Sequence, residues 1–187
     1  MIAQSGVQIR DRSEEAVSCV RDNGFCPGWI ADHWQDYLDP LWRHVQLTLT
    51  PVACGFVIAF ALALLAHRRR GLGPPLLLVT SVLYTVPAFA FIGVLLVPLG
   101  FGFVTALIPL TAYTLAILFR NILAGLENAD ADVRDAARGM GLTDRQLLWR
   151  VELPLALPEI LAGVRVATVT TVGLATLAFF AGAGGLG

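Results

Sequence analysis

Three histidines, three cysteines and no lysine are the side chains this chain offers for acid–base, nucleophilic or metal chemistry. Without lysine, a phosphate-binding loop of the Gly-x4-Gly-Lys-Ser/Thr type cannot be built, so ATP is not bound by that route. The run Gly182-Ala183-Gly184-Gly185-Leu186-Gly187 does match G-x-G-x-x-G. It follows an apolar segment rather than a strand, and neither a helix nor an acidic residue follows it, so a dinucleotide site is rejected. His33, His44 and His67 each flank an apolar stretch and lack metal-ligand spacing, and no Ser, His and Asp set converges on one face. The expectation is no catalytic residue, no metal and no cofactor; the chain is not read as an enzyme. Cys19 and Cys26 would close a short loop with Gly24 inside it and Pro27 at its edge. In an oxidising compartment they are a candidate disulfide, with two unpaired thiols as the alternative. Cys54 lies inside an apolar run and reads as a small packing residue.

The elements around these residues are set by where charge is missing. No Asp, Glu, Lys or Arg occurs from His44 to His67, from Gly71 to Phe119, or from Val166 to Gly187. A helix needs about 20 mostly apolar residues to cross about 30 Å of hydrocarbon. The first and third runs fit one helix each, and the middle run fits two, broken around Pro98–Gly102. The expected fold is an all-α integral membrane protein, a polytopic helical bundle. Its spans are placed at about 45–66, 74–97, 103–119 and 166–181. The ten-residue alternation of a membrane barrel is absent. The net charge of −1 gives no sign of a nucleic-acid partner. Ion-driven carriers keep ionisable groups within their spans. These spans hold none, so the energy source is expected on another subunit.

Arginine placement predicts the orientation. Arg68, Arg69 and Arg70 follow the first span, and the segment 120–165 carries six arginines. Both are expected in the cytoplasm. The acid-rich segment 1–44 is then extracytoplasmic and 45–187 is the membrane domain. No cleavable signal peptide is read in residues 1–44, and the first span is expected to act as its own insertion signal. Trp29, Trp34, Tyr37 and Trp42 read as an interfacial aromatic belt or amphipathic helix.

The cytoplasmic segment is patterned as two short helices. Asn128 or Asp130 can cap a helix over 132–138, with acids at its start favouring the positive end of the dipole. Gly139 and Gly141 end it. Thr143-Asp144-Arg145-Gln146 is a capping box for a second helix that sets Leu147, Leu148 and Val151 on one face. Pro154 and Pro158 are expected to stop it. The corner exposes Met140, Leu142 and Trp149. Such a corner suits docking into a partner's groove, and equally suits a solvated loop; the residue pattern leaves both open.

Asp135-Ala136-Ala137, three residues, Gly141, nine residues, Val151, one residue and Leu153-Pro154 resemble the EAA loop of ATP-binding-cassette importer permeases. Every spacing is kept; Asp135 replaces the pattern's Glu. The resemblance implies that this loop docks on a cytoplasmic ATPase subunit, with Asp135, Ala136, Ala137, Gly141, Leu153 and Pro154 as coupling positions. The stretch Glu152–Pro158, then Ile160–Arg165, Ala167-Thr168 and Gly182–Gly187, is similar to osmoprotectant permeases, as are Thr85-Val86-Pro87 with Phe89 and Leu118-Phe119-Arg120-Asn121. That subfamily imports glycine betaine, carnitine, choline and related quaternary amines. The resemblance covers about residues 45–187. It implies a methionine-importer-type fold, a second permease subunit in a homo- or heterodimer, an extracytoplasmic solute-binding protein, and the bacterial plasma membrane as its place. Members of the family continue into a further span, which is missing here, so a truncated gene or a fragment is expected. The alternatives are a permease for methionine, sulfonate or another small solute, or a truncated inactive membrane scaffold. Candidate substrate-pathway residues are Tyr84, Pro87, Phe89, Tyr113, Thr170 and Thr171, where aromatic faces would hold a quaternary ammonium.

Overall fold

In lipid, apolar side chains gain nothing by leaving one apolar medium for another, so helices associate by close backbone approach and a few polar contacts. The sequence supplies small residues at helical spacing, and the computed structural model of the chain shows where they are used. It describes Ala31 and residues 33–187, which form helices and no strand. The chain divides into two compact units, Met1–Pro40 and Leu41–Gly187. Of the first, the described part includes a 3-10 turn, Trp34–Tyr37. The Cys19–Cys26 bridge and Trp29 lie outside the described residues.

Four long or paired elements make up the bundle. Helix α1 is Leu38–Arg68. Helices α2 (Gly73–Thr85) and α3 (Ala88–Leu99) follow, then α4 (Phe103–Glu127). Two short helices, α5 (Ala131–Gly139) and α6 (Asp144–Leu147), precede a π turn, Leu148–Glu152, and the long helix α7 (Leu153–Ala175), which tightens into a 3-10 segment, Thr176–Ala181. Three helical stretches are long and apolar enough to cross a membrane: Trp34–Arg68, Phe103–Glu127 and Asp144–Ala181. The α2–α3 pair qualifies only together.

Three expectations change. The segment 74–97 is a pair of helices bent by 87° rather than one straight span. Pro87 has no N–H to continue the ladder and pushes Val86 out of the helical region, to ψ 126. The freed Val86 carbonyl accepts a hydrogen bond from the Tyr113 hydroxyl. Second, the helices run past the charge-free segments: α1 continues to Arg68 and α4 to Glu127. Absence of charge marks the hydrocarbon, whereas a helix ends only where its backbone finds a cap. Third, Pro154 and Pro158 do not stop the loop's second helix. Pro154 sits in the first turn of α7, where a missing N–H does little harm, and the chain stays helical from Asp144 to Ala181.

Helix α4 is the axis against which the others pack. On α1, Pro51, Gly55, Ala59, Ala63 and Ala66 form a buried stripe of small residues. It meets Leu118, Phe119 and Ile122 of α4 in one apolar cluster. Thr114 Oγ1 donates to the Pro51 carbonyl across this seam at 3.0 Å. On α7, Ala156, Ile160, Gly163, Ala167, Thr171 and Ala175 form the matching stripe. A Cβ on Gly163 would lie 2.6 Å from the Asn121 Cβ, and one on Gly125 would lie 3.1 Å from the Ala156 carbonyl oxygen. A second cluster, with Leu47, Ile92, Ala106, Leu110 and Ala178, fills the other half of the bundle.

The glycine run closes that far end. Gly182 takes a left-handed φ of 64°, and Ala183 N–H donates to the Ala178 carbonyl at 3.1 Å, ending the helix. Arg43 Nε donates to the Ala183 carbonyl at 3.0 Å, and its guanidinium lies 4.7 Å from the Phe103 ring centroid. The Leu186 N–H reaches His44 Nδ1 at 3.3 Å. The run is thus a helix terminator packed on α1.

Gly55 gives a test of the seam. A Cβ there would overlap Thr114 Oγ1 and approach the Leu115 backbone nitrogen to 3.2 Å, with backbone unable to yield cheaply. Gly55→Val should lower stability in detergent by about 1–3 kcal/mol, the usual range for overpacking. Gly93→Ala, in open space, serves as control. Equal melting of the two variants, measured by thermal unfolding, would show that the seam does not hold α1.

Candidate functional site

The charged end of the bundle collects the ends of α1 and α4 together with α5, α6 and the π turn. Local sequence shapes each piece. Asp130, rather than Asn128, caps α5: its carboxylate accepts from the Asp132 N–H at 2.9 Å. The helix ends with Met140 N–H donating to Ala136 O and Leu142 N–H to Ala137 O, at 3.0 and 3.2 Å. That wrap requires Gly141 at φ +85°, where an L side chain is strained. A Cβ on Gly141 would meet nothing within 4 Å, so its requirement within this chain is backbone conformation alone. Thr143 and Gln146 then form the reciprocal capping box. The Leu153 N–H bonds back to the Leu148 carbonyl, the wide step that defines the π turn. π turns recur at functional sites because they re-aim side chains.

The side chain carried by this turn is Glu152, which is only 4% exposed. Its Oε2 lies 2.9 Å from His67 Nε2 at the end of α1, and its Oε1 lies 3.1 Å from Arg134 Nε on α5. The second contact is one of charge, because that N–H is not aligned with the carboxylate and has no hydrogen-bond partner. Arg134 also donates from Nη2 to the Leu126 and Glu127 carbonyls at 2.9 and 3.0 Å. A cation there meets the negative end of the α4 dipole and fills carbonyls that the helix leaves open. One carboxylate and one guanidinium therefore tie α1, α4, α5 and the start of α7. Beneath them opens a cavity of about 940 Å³, lined among others by His67, Arg68, Arg138, Asp144 and Arg145.

The motif residues divide by face. Asp135, Ala136, Gly141 and Pro154 are exposed, Leu153 is half-buried and Ala137 is buried. Asp135 has only a loose pairing with Arg138, at 3.8 Å, on an open surface. Met140 and Trp149 are exposed beside them, Leu142 is half-buried, and Leu147 and Leu148 face inward. The outer face of the corner therefore presents a carboxylate, small residues and two large apolar side chains. Sequence reasoning missed the Glu152–His67–Arg134 cluster. Its signal was available: Glu152 has Leu148 and Ala156 four residues away on either side, so it lies on the apolar face of its helix, where a carboxylate must find a cation.

The pathway candidates fall into three groups. Tyr84, half-exposed, packs edge-on to buried Tyr113, with centroids 5.5 Å apart, beside exposed Pro87 at the break. Phe89, exposed, packs edge-on to Phe180 at 5.1 Å, a partner not singled out from sequence. On α7, Thr170 is half-buried, and buried Thr171 donates to the Ala167 carbonyl at 2.6 Å. Among the described residues, no group of His, Cys, Asp and Glu is arranged to hold a metal.

Residues 52–187 match the family described as the binding-protein-dependent transport system inner membrane component. Curated relatives include the carnitine transport permease protein OpuCD of Listeria monocytogenes, 33% identical over 150 residues, which span 80% of this chain and 67% of that protein. The glycine betaine/carnitine/choline transport system permease protein OpuCD of Bacillus subtilis is 35% identical over 150 residues, 80% of this chain and 66% of that one. The osmoprotectant import permease protein OsmW of Salmonella typhimurium is 35% identical over 151 residues, 78% and 70% of the two chains. The chain thus spans about two thirds of the length of these relatives. Among solved structures, an inward-facing conformation of the MetNI methionine ABC transporter superposes with a TM-score of 0.71 at 24% identity, covering 80% of this chain and 76% of that one. That likeness establishes the fold.

Glu152→Ala should destabilise the charged end by about 1–3 kcal/mol, because it leaves half-buried Arg134 and His67 without their shared acceptor. Limited proteolysis should then cut within 128–152 under conditions where the parent resists. Unchanged protection would mean that the three-residue cluster carries no structural weight.

Proposed function

The chain belongs to the family of binding-protein-dependent transport system inner membrane components, the permease subunits of ATP-binding-cassette transporters, and from that premise we propose that it imports a quaternary-amine osmoprotectant. Glycine betaine, carnitine, choline or proline betaine would cross the plasma membrane through a pair of permease subunits, identical or not. ATP hydrolysis is assigned to separate cytoplasmic subunits, and delivery to an extracytoplasmic solute-binding protein. The observation that carries the reading is the corner at Gly141. A pair of capped helices holds Asp135, Ala136 and Gly141 outward, with Glu152 tied to His67 of α1 and, through Arg134, to the end of α4. A force applied to the corner by a closing ATPase would reach the spans through charge contacts rather than through a slack loop.

The substrate assignment draws on the relatives, whose names state carnitine, glycine betaine and choline transport. Exposed Tyr84 and Phe89 are the aromatic faces on which a quaternary ammonium would rest, each contact being worth about 0.5–2 kcal/mol. A methionine importer has only the fold likeness behind it. In the proposed orientation the charged end faces the cytoplasm, and residues 1–44 lie outside.

Uptake tests the whole reading. Cells lacking their own osmoprotectant importers, given this permease with its ATPase and binding protein, should accumulate labelled glycine betaine, carnitine or choline and not methionine. Gly141→Asp should abolish uptake and co-purification with the ATPase at normal membrane abundance. A charge left unpaired in a contact costs about 3–5 kcal/mol, a loss of docking of more than a hundredfold. Transport by Gly141→Asp at the parent rate would sink the coupling role, and methionine uptake would sink the substrate class.

Orientation has its own test. In a variant without Cys19, Cys26 and Cys54, an impermeant thiol reagent should label Ser5→Cys in intact cells, and Thr143→Cys only after lysis. The reverse pattern would place the corner outside and remove it from any ATPase.

A further inference from the structure

Arg120 is a cation within a membrane-spanning helix, yet no acidic side chain among the described residues stands within ion-pair distance of it. Its guanidinium donates to Ser81 Oγ at 3.3 Å, and the side chain is exposed. An arginine directly after a charge-free run can lack an acidic partner where it faces a cavity. Arg120 does face one: a cavity of about 420 Å³ between α2 and α4, also lined by Ser81, Tyr84, Thr85, Ile117 and Asn121.

The lining of this cavity is chemically two-sided. On one side is Tyr84, half-exposed, its ring held edge-on by Tyr113 at 5.5 Å. Tyr113 is itself fixed by its hydroxyl bond to the Val86 carbonyl at the helix break. On the other side are the Arg120 guanidinium and the Ser81 hydroxyl, with Asn121 held in place by its Nδ2 bond to the Ile117 carbonyl at 2.8 Å. Tyr84 and Ser81 lie three residues apart on one helix, so the two sides are about one turn, roughly 5 Å, apart along the same face.

We propose that this cavity is a transit site for a zwitterion, with a quaternary ammonium on the Tyr84 ring and a carboxylate on Arg120. The aromatic face attracts the cation, and the guanidinium fork takes the carboxylate in a charge-assisted, bidentate contact. The Ser81 hydroxyl holds the guanidinium toward the cavity before the ligand arrives. Arg120 is then a specificity-determining residue: it favours betaines and carnitine over cations such as choline that lack a carboxylate. This assignment deepens the quaternary-amine reading and rests on it.

The test is direct binding to the purified chain in lipid nanodiscs, using labelled glycine betaine and its methyl ester, which keeps the ammonium and masks the carboxylate. The parent should bind the zwitterion at least roughly tenfold more tightly than the ester. Arg120→Gln should reduce that preference to about twofold or less, by weakening betaine and strengthening the ester. Tyr84→Leu should weaken both ligands. Should Arg120→Gln fail to fold, Arg120→Lys carries the test: it keeps the charge, loses the fork, and should weaken betaine severalfold with the ester unchanged. Preference unchanged in whichever Arg120 variant folds, or a parent that binds neither ligand, overturns the proposal. If cells expressing the transporter nonetheless take up betaine, only the cavity assignment falls. If they take up no quaternary amine, the substrate reading falls with it.

Discussion

A carboxylate placed among apolar side chains has to be met by a cation or a hydrogen-bond donor, and Glu152 draws three parts of the chain to itself for that reason. His67 comes from the end of α1, and Arg134 comes from α5, at 2.9 and 3.1 Å. Arg134 in turn occupies the last carbonyls of α4. The cluster adds polar contacts to the apolar burial of Ala137, Leu147 and Leu148. With it, the corner and the ends of two spanning helices form one charge-linked assembly. A buried ion pair is weak evidence for stability as such, since well-packed apolar residues of the same shape can do as well. Its use here is to fix position: removing Arg134 or His67 leaves Glu152 buried with less to compensate it.

The rest of the bundle obeys the complementary constraint of the hydrocarbon. Helix contact needs near-backbone approach, and α4 achieves it on two sides through Gly55 and the alanines of α1, and through Gly163, Ala156 and Gly125 at the α7 seam. Threonines carry the polar part by returning their hydroxyls to carbonyls of the preceding turn, as Thr80, Thr111, Thr168 and Thr171 do. Thr114 bridges instead to Pro51 on α1, so one hydroxyl both satisfies its own helix and fastens a second. The break at Val86-Pro87 is covered by Tyr113, whose ring packs on Tyr84 beside the cavity holding Arg120.

What the residues determined by themselves was everything that depends on short range. Charge-free length predicted a helical membrane protein of about four spans. A cap at Asn128 or Asp130 and the Thr143–Gln146 box predicted the corner helices, and the Asp135–Pro154 spacing pointed to the family. Those signals are local because a cap, a glycine turn or a motif spacing involves neighbours a few residues apart. What tertiary structure decided was which of the remaining groups meet. In sequence, Glu152 lies 85 positions after His67, and Arg120 lies 39 positions after Ser81. Pro154 reads as a stop and serves as a first-turn residue; Pro87 reads as a member of a straight span and bends it. A proline's effect depends on which carbonyl it leaves open and what reaches that carbonyl, and a buried charge's role depends on the cation opposite it. Both are set by packing between distant segments, for which a single sequence carries no periodicity.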